Sequence, residues 1–209
     1  QKQRWALPLL QADLTAALGM SEPNAGSDLA GLRTRAVRDG DHFVVNGQKV
    51  WTSGAHDADV ILTFVRTDPD VPKHKGITYF LVDMKTPGFD IRPLRQMTGS
   101  EHFSEVFMDE VRIPVENVLG DINGGWGCAI TTLSNERGLI AGANKSSDTM
   151  ALIELARKRG VSDDPVLRQH LVDCWIRQQI QRYHGYRLQT ALSKGVPPGP
   201  ETSVMKLFA

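Results

Sequence analysis

Two dipeptides constrain this chain more than anything else in it. Asp39-Gly40 and Asn46-Gly47 each stand between β-prone residues, with Val37-Arg38 before the first, His42-Phe43-Val44-Val45 between them and Gln48-Lys49-Val50 after the second. Tight hairpin turns need backbone at positive φ, which Asp-Gly and Asn-Gly adopt most readily, so the pattern predicts two hairpin turns in quick succession. Further β-prone runs at about 59–66, 77–83, 89–93 and 104–111 are separated by Pro, Gly and Asp, the residues that interrupt strands. Six or so short strands predict an antiparallel barrel or sandwich.

After Gly124-Gly125 the period changes. Trp126, Ala129, Ile130, Leu133, Arg137, Ile140, Ala141 and Asn144 recur at steps of three and four, the signature of one helical face. One helix is expected from Gly124 to about Arg159, with Glu136 on its buried side. A second is expected to open at Asp163-Asp164-Pro165, where acidic residues and proline suit a first turn, and to end before the Pro/Gly run at 196–200. The fold class is therefore α+β: a β-barrel or sandwich domain followed by part of an α-helical bundle.

Charge and cysteine usage narrow the function. Basic and acidic residues balance at 24 each, which gives no electrostatic footprint for nucleic acid. Cys128 and Cys174 lie far apart without a ligand motif, and no histidine pair has metal-ligand spacing, so neither a metal site nor a disulfide framework is expected. No apolar run is long enough to span a membrane, and the N-terminal segment lacks the features of a signal peptide. A soluble protein of a reducing compartment is expected. The chain opens without methionine and closes in the uncapped run Ser203-Val204-Met205-Lys206-Leu207-Phe208-Ala209, which suggests a fragment.

Three constellations can carry chemistry. Ser21-Glu22-Pro23-Asn24-Ala25-Gly26-Ser27-Asp28 offers hydroxyls, free amides and a glycine that permits close backbone approach, as a pyrophosphate or a flavin edge requires. It equally suits a capped turn, with Ser27 or Asp28 as the cap. Trp51-Thr52-Ser53 ends a strand whose alternation places Lys49 and Trp51 on the face of Val45. That tryptophan either packs in the core or covers a flat cofactor. Glu136 and Arg137 set charges within the apolar stripe of the first long helix, as a buried ion pair or as a carboxylate base beside a substrate-binding cation.

Taken together, these stretches resemble the acyl-CoA dehydrogenase family. Leu18-Gly19-Met20 followed by Ser21 to Asp28 looks like its first signature, and Asn46-Gly47-Gln48-Lys49-Val50-Trp51-Thr52-Ser53-Gly54 like its second. The segments at 76–83, 107–120 and 124–126 look like its later strands and its entry to the C-terminal helices. The resemblance implies residues 1–17 as the end of an N-terminal helical domain, 18–120 as the middle β domain and 121–209 as the first C-terminal helices. It implies FAD as cofactor, contacted by Met20, Ser21, Gly26, Ser27, Trp51, Thr52 and Ser53, with Ser27 also near the acyl-CoA. The implied reaction is α,β-desaturation of an acyl-CoA thioester with hydride transfer to the flavin. Glu136 would be the base and Arg137 a substrate contact, because the family keeps one of its two alternative carboxylates in such a Glu-Arg pair. The other position lies past Ala209. Arg159, or Arg157, stands where the family has an arginine reaching the FAD of a neighbouring subunit, although the aromatic usual after it is absent. The expected partners are an electron-transfer flavoprotein and further copies or homologues in an oligomer; the expected location is the cytoplasm, or the mitochondrial matrix in a eukaryote. An acyl-CoA oxidase, a flavin monooxygenase and a catalytically silent partner subunit are the alternatives on the same scaffold.

Overall fold

The computed structural model describes residues 2–143, 148–196 and 199, the side chains of 137–143 excepted. It divides into two compact units, Gln1–Leu133 and Ser134–Ala209.

The first unit holds eight strands: β1 (Ala16–Gly19), β2 (Arg35–Asp39), β3 (His42–Ser53), β4 (Val60–Arg66), β5 (Ile77–Asp83), β6 (Phe89–Leu94), β7 (Phe103–Pro114) and β8 (Val118–Leu119). They form one sheet in the order β6-β7-β3-β2-β4-β5-β8, with β1 beside β4. The expected barrel does not close, because β6 and β8 are not paired with each other. The physical reason lies at the middle of the path, where β2 and β4 meet through the single pair Arg35 and Arg66. The sheet bends there into two halves that close over a shared core by side-chain packing rather than by a last ladder. Phe43, Val45, Val106, Val111 and Ile113 from one half meet Ile61, Val65, Phe80 and Val82 from the other. Phe43 and Phe80 touch edge to face at 5.2 Å. The resulting sandwich is mixed rather than wholly antiparallel. β1 runs parallel to β4, since the chain between them passes through the complete β2–β3 hairpin before returning in the same direction.

Asp39-Gly40 makes the expected turn: Asp39 pairs with His42, and Gly40 has φ 60°. Asn46-Gly47 does not. β3 runs straight through it to Ser53, and the register against β7 slips between Val45 and Gly47, which is a bulge. Gly47 is needed for a different reason, because a Cβ there would lie 2.7 Å from the Cα of Thr34. Asn46 spends its amide across the strands, donating to Glu110 Oε1 and accepting from the Glu110 backbone amide.

Both faces of β4 and β5 are covered. Their outer faces pack Val60 and Leu81 against Trp5, which precedes the short helix α1 (Leu7–Leu10), and Phe64, Ile77 and Tyr79 against Leu29, Leu32 and Ala129. Ala129 sits on helix α2 (Gly125–Ala143), which opens directly on β5. A Cβ on Gly125 would come within 2.9 Å of the backbone of Ile77, Thr78 and Tyr79, so only glycine allows this approach. Gly125→Ala is accordingly expected to destabilise the unit by about 1–3 kcal/mol through overpacking. Gly127→Ala, where a Cβ meets nothing within 4 Å, should be neutral or stabilise the helix. Melting temperatures of the two variants check the contrast; equal shifts would remove the packing argument.

The single helix expected from Gly124 to Arg159 is instead two, α2 and α3 (Thr149–Lys158). Asp148 explains the new start: its carboxylate accepts from the Met150 amide as an N-cap. α4 (Pro165–Ser193) begins where expected, with Asp164 accepting from the Val166 and Leu167 amides. Of the Pro/Gly run expected to end it, 197, 198 and 200 lie outside the described residues.

Candidate active site

The polar stretch after β1 is built around Glu22, which the sequence reading did not single out. Glu22 and Ala25 exchange backbone hydrogen bonds of 2.9 and 3.0 Å across Pro23-Asn24, forming a tight turn. The Glu22 carboxylate points back into the protein and is 9% exposed. It accepts from the amides of Arg33 at 2.6 Å and Thr34 at 3.0 Å, and from Lys49 Nζ at 2.8 Å. Lys49 is wholly buried. Its ammonium also donates to the Met20 carbonyl at 3.3 Å, and the Val50 amide donates to the Ser21 carbonyl at 2.9 Å. A buried ion pair and a backbone bond thus strap the 20–28 loop to the end of β3.

The charges are set by this geometry. Burial alone would raise the Glu22 pKa, but the Lys49 charge, its hydrogen bond and the Thr34 and Arg33 contacts together hold it below the usual carboxylate value. Burial pushes Lys49 down from the usual lysine value, with Glu22 opposing that shift. Strand parity carried a signal for this pair: a lysine on the face of Val45 must find an anion, and Glu22 belongs to the neighbouring polar stretch.

Beyond Val50 the strand changes character. Trp51 has φ 59° and is 61% exposed, whereas Thr52 is 1% exposed, and the register against β7 slips between Lys49 and Thr52. Left-handed backbone is costly for a bulky residue, on the order of 1–3 kcal/mol, and such strain gathers at functional positions. Its effect here is to turn the indole outward against the edge of Phe103, at 6.0 Å between ring centroids. Ser53 is exposed like Trp51, while the Thr52 hydroxyl turns inward and is buried without a hydrogen-bond partner among the described residues. The two hydroxyls therefore face different ways.

Met20 and Ser21 are half-buried beside Lys49 and Val50, and Gly26 and Ser27 are exposed on the same loop. Asp28 follows, its carboxylate held by Lys73 at 2.8 and 2.9 Å. The next residue of that connection, His74, meets the Trp126 ring of α2 edge to face at 4.6 Å. Thus the first unit brings together the loop and strand-end residues expected to touch one ligand.

The remaining expected residues lie on the second unit. Glu136 was expected on the buried side of its helix and is exposed. The α2 stripe is covered by the β unit at Ala129 and partly at Leu133, and Glu136 lies beyond that cover. The side chain of Arg137 lies outside the described residues. Arg159 forms the exposed C-cap of α3, its amide donating to the Leu155 carbonyl. Among the described residues no group of His, Cys, Asp or Glu could hold a metal, and no helix is long and apolar enough to cross a membrane.

Comparison with known proteins follows the same division. Residues 17–111 match the acyl-CoA dehydrogenase middle domain, and residues 123–209 match the acyl-CoA dehydrogenase C-terminal domain. Acyl-CoA dehydrogenase FadE34 of Mycobacterium tuberculosis is 48% identical over 90% of this chain and 26% of its own length. Acyl-CoA dehydrogenase IpdE1 of the same organism is 39% identical over 100% of this chain and 54% of its own. The solved structure described as the Tcur3481-Tcur3483 steroid ACAD superposes with TM-score 0.89 at 36% identity, covering 100% of this chain and 54% of that one. The chain thus spans about half the length of these relatives or less. With two successive domains of one family matched in order, on a fold shared with its solved members, the chain belongs to the acyl-CoA dehydrogenase family.

Proposed function

We propose that the full protein is an FAD-dependent dehydrogenase that introduces an α,β double bond into an acyl-CoA thioester. The observation that carries this reading is the strap between the 20–28 loop and the end of β3, which sets exposed hydroxyls beside a tryptophan turned outward at positive φ. These residues fit a flat cofactor with polar edges. The Trp51 indole offers a face, Ser21, Ser27 and Ser53 offer hydroxyls, and no side chain at Gly26 obstructs the backbone. Thr52 fits through its backbone rather than through its inward hydroxyl.

FAD, when bound, supplies the hydride acceptor. The chain's own contribution is to bind and orient the thioester and to take its α proton. Glu136 is the proposed base, Arg137 a substrate contact, Ser27 a contact near the acyl-CoA and Arg159 a contact to the cofactor of a neighbouring subunit. Hydrogen bonds to the thioester carbonyl make the α proton easier to remove, and a positioned carboxylate then accepts it. An electron-transfer flavoprotein is the proposed acceptor of the electrons, and an oligomer the proposed assembly. Likeness to a steroid acyl-CoA dehydrogenase supports acyl chains carried on a bulky ring system as substrates.

Trp51→Gly tests the cofactor contact. Removing the ring forfeits its edge contact with Phe103, while glycine relieves the left-handed backbone, so the two effects on stability nearly cancel. Flavin retention should nonetheless weaken by about three- to tenfold. Equilibrium dialysis of FAD against the full-length protein measures it, and unchanged affinity would remove Trp51 from the cofactor site.

A further inference from the structure

A second feature of the first unit is not used by the flavin reading. Between the segment after the 20–28 loop and the β4–β5 connection lies a cavity of about 410 Å³. Arg33, Arg35, Arg66 and Lys73 line it together with the apolar side chains of Leu32 and Val71. Four cations meet there, and no carboxylate belongs to the lining. Asp28 neutralises Lys73 alone, by the two short contacts already described. The guanidiniums of Arg33 and Arg35 have no ion-pair or hydrogen-bond partner among the described residues, and both residues are exposed. Arg66 is 9% exposed. It donates to the Ala30 carbonyl at 2.6 Å and the Lys73 carbonyl at 2.7 Å, tying together the two segments that form the walls. These bonds preform the cavity and leave Arg66 without a carboxylate within ion-pair distance.

We propose that this cavity binds a phosphate-bearing ligand of nucleotide size. Planar guanidiniums grip phosphate oxygens in pairs, and the two unpartnered ones are free to do so without breaking an existing bond. The volume is more than a lone phosphate needs and falls within the range of small-molecule sites. Its apolar lining at Leu32 and Val71 suits the uncharged ring of a nucleotide, with the phosphates turned to Arg33 and Arg35. The proposal needs only the cavity and is independent of the dehydrogenase reading.

Titration calorimetry of the full chain with ADP, adenosine 3′,5′-bisphosphate, inorganic pyrophosphate and adenosine tests it. ADP or the bisphosphate should bind saturably and more tightly than pyrophosphate, and adenosine should not bind measurably. The tighter of the two nucleotides tells a free nucleotide from the phosphorylated head of coenzyme A. The double variant R33A/R35A should weaken binding by about tenfold or more, as loss of charge-assisted bonds does, while keeping its melting temperature. R95A, which removes an exposed arginine outside the cavity, should bind like the parent. Absence of saturable binding, equal binding of adenosine, or equal weakening by R95A would overturn the proposal.

Discussion

Glu22→Gln is expected to lower the stability of the β unit by about 3–5 kcal/mol, because it leaves the buried Lys49 ammonium without its anion. For a unit of this size the melting temperature should fall by roughly 10–20 °C. Lys49→Met should cost less, since the Glu22 carboxylate would keep the amides of Arg33 and Thr34. The double variant should cost less than the sum of the two singles, which is the coupling expected of residues in contact. Acid tests the same pair. A carboxylate held below its unfolded value contributes stability that is fully present above the ordinary glutamate range and is lost as the pH falls through the folded value. The parent should therefore lose stability on acidification more steeply than Glu22→Gln. Thermal melts of both proteins from neutral to acid pH measure the difference, and parallel curves would show that Glu22 is not ionised in the fold.

Glu136→Gln should act on a different quantity. In the full-length protein it is expected to slow flavin reduction by acyl-CoA by about 10²- to 10⁴-fold, the usual contribution of a general base. Its side chain is exposed, and substitutions at exposed positions usually shift stability by no more than about 0.5 kcal/mol. Single-turnover bleaching of the flavin and the melting temperature, measured on one preparation, separate chemistry from folding. Normal bleaching would move the base elsewhere, and slow bleaching with a large fall in melting temperature would point to an ion pair instead.

The strands from β4 onward were legible because Pro, Gly and Asp punctuate β-branched runs there: β5 runs from Ile77 to Asp83, as read from the sequence. Asn46-Gly47 misled because the same dipeptide serves a bulge where another backbone passes close, and the proximity of Thr34 is a tertiary fact. Closure into a barrel was not legible for a similar reason, since it depends on how many residues join β2 to β4. The break between α2 and α3 had a local signal in Asp148, which the continuing apolar periodicity masked. In the site, the two polar stretches could be seen but not what joins them. Glu22 looked like one more loop residue until Lys49 was found inside.

The open sheet has a consequence for solubility. An unclosed sheet has two outermost strands whose unpaired amides and carbonyls can recruit a foreign strand. Here one of them, β8, is two residues long and offers too little ladder to extend. The other, β6, carries Pro93, which has no amide to donate, and an exposed Asp90–Arg92 ion pair that a newly arriving strand would have to desolvate. Leaving the barrel unclosed therefore gives this unit little tendency to polymerise edge to edge, and Pro93→Val with Arg92→Thr would be the pair of changes that restores it.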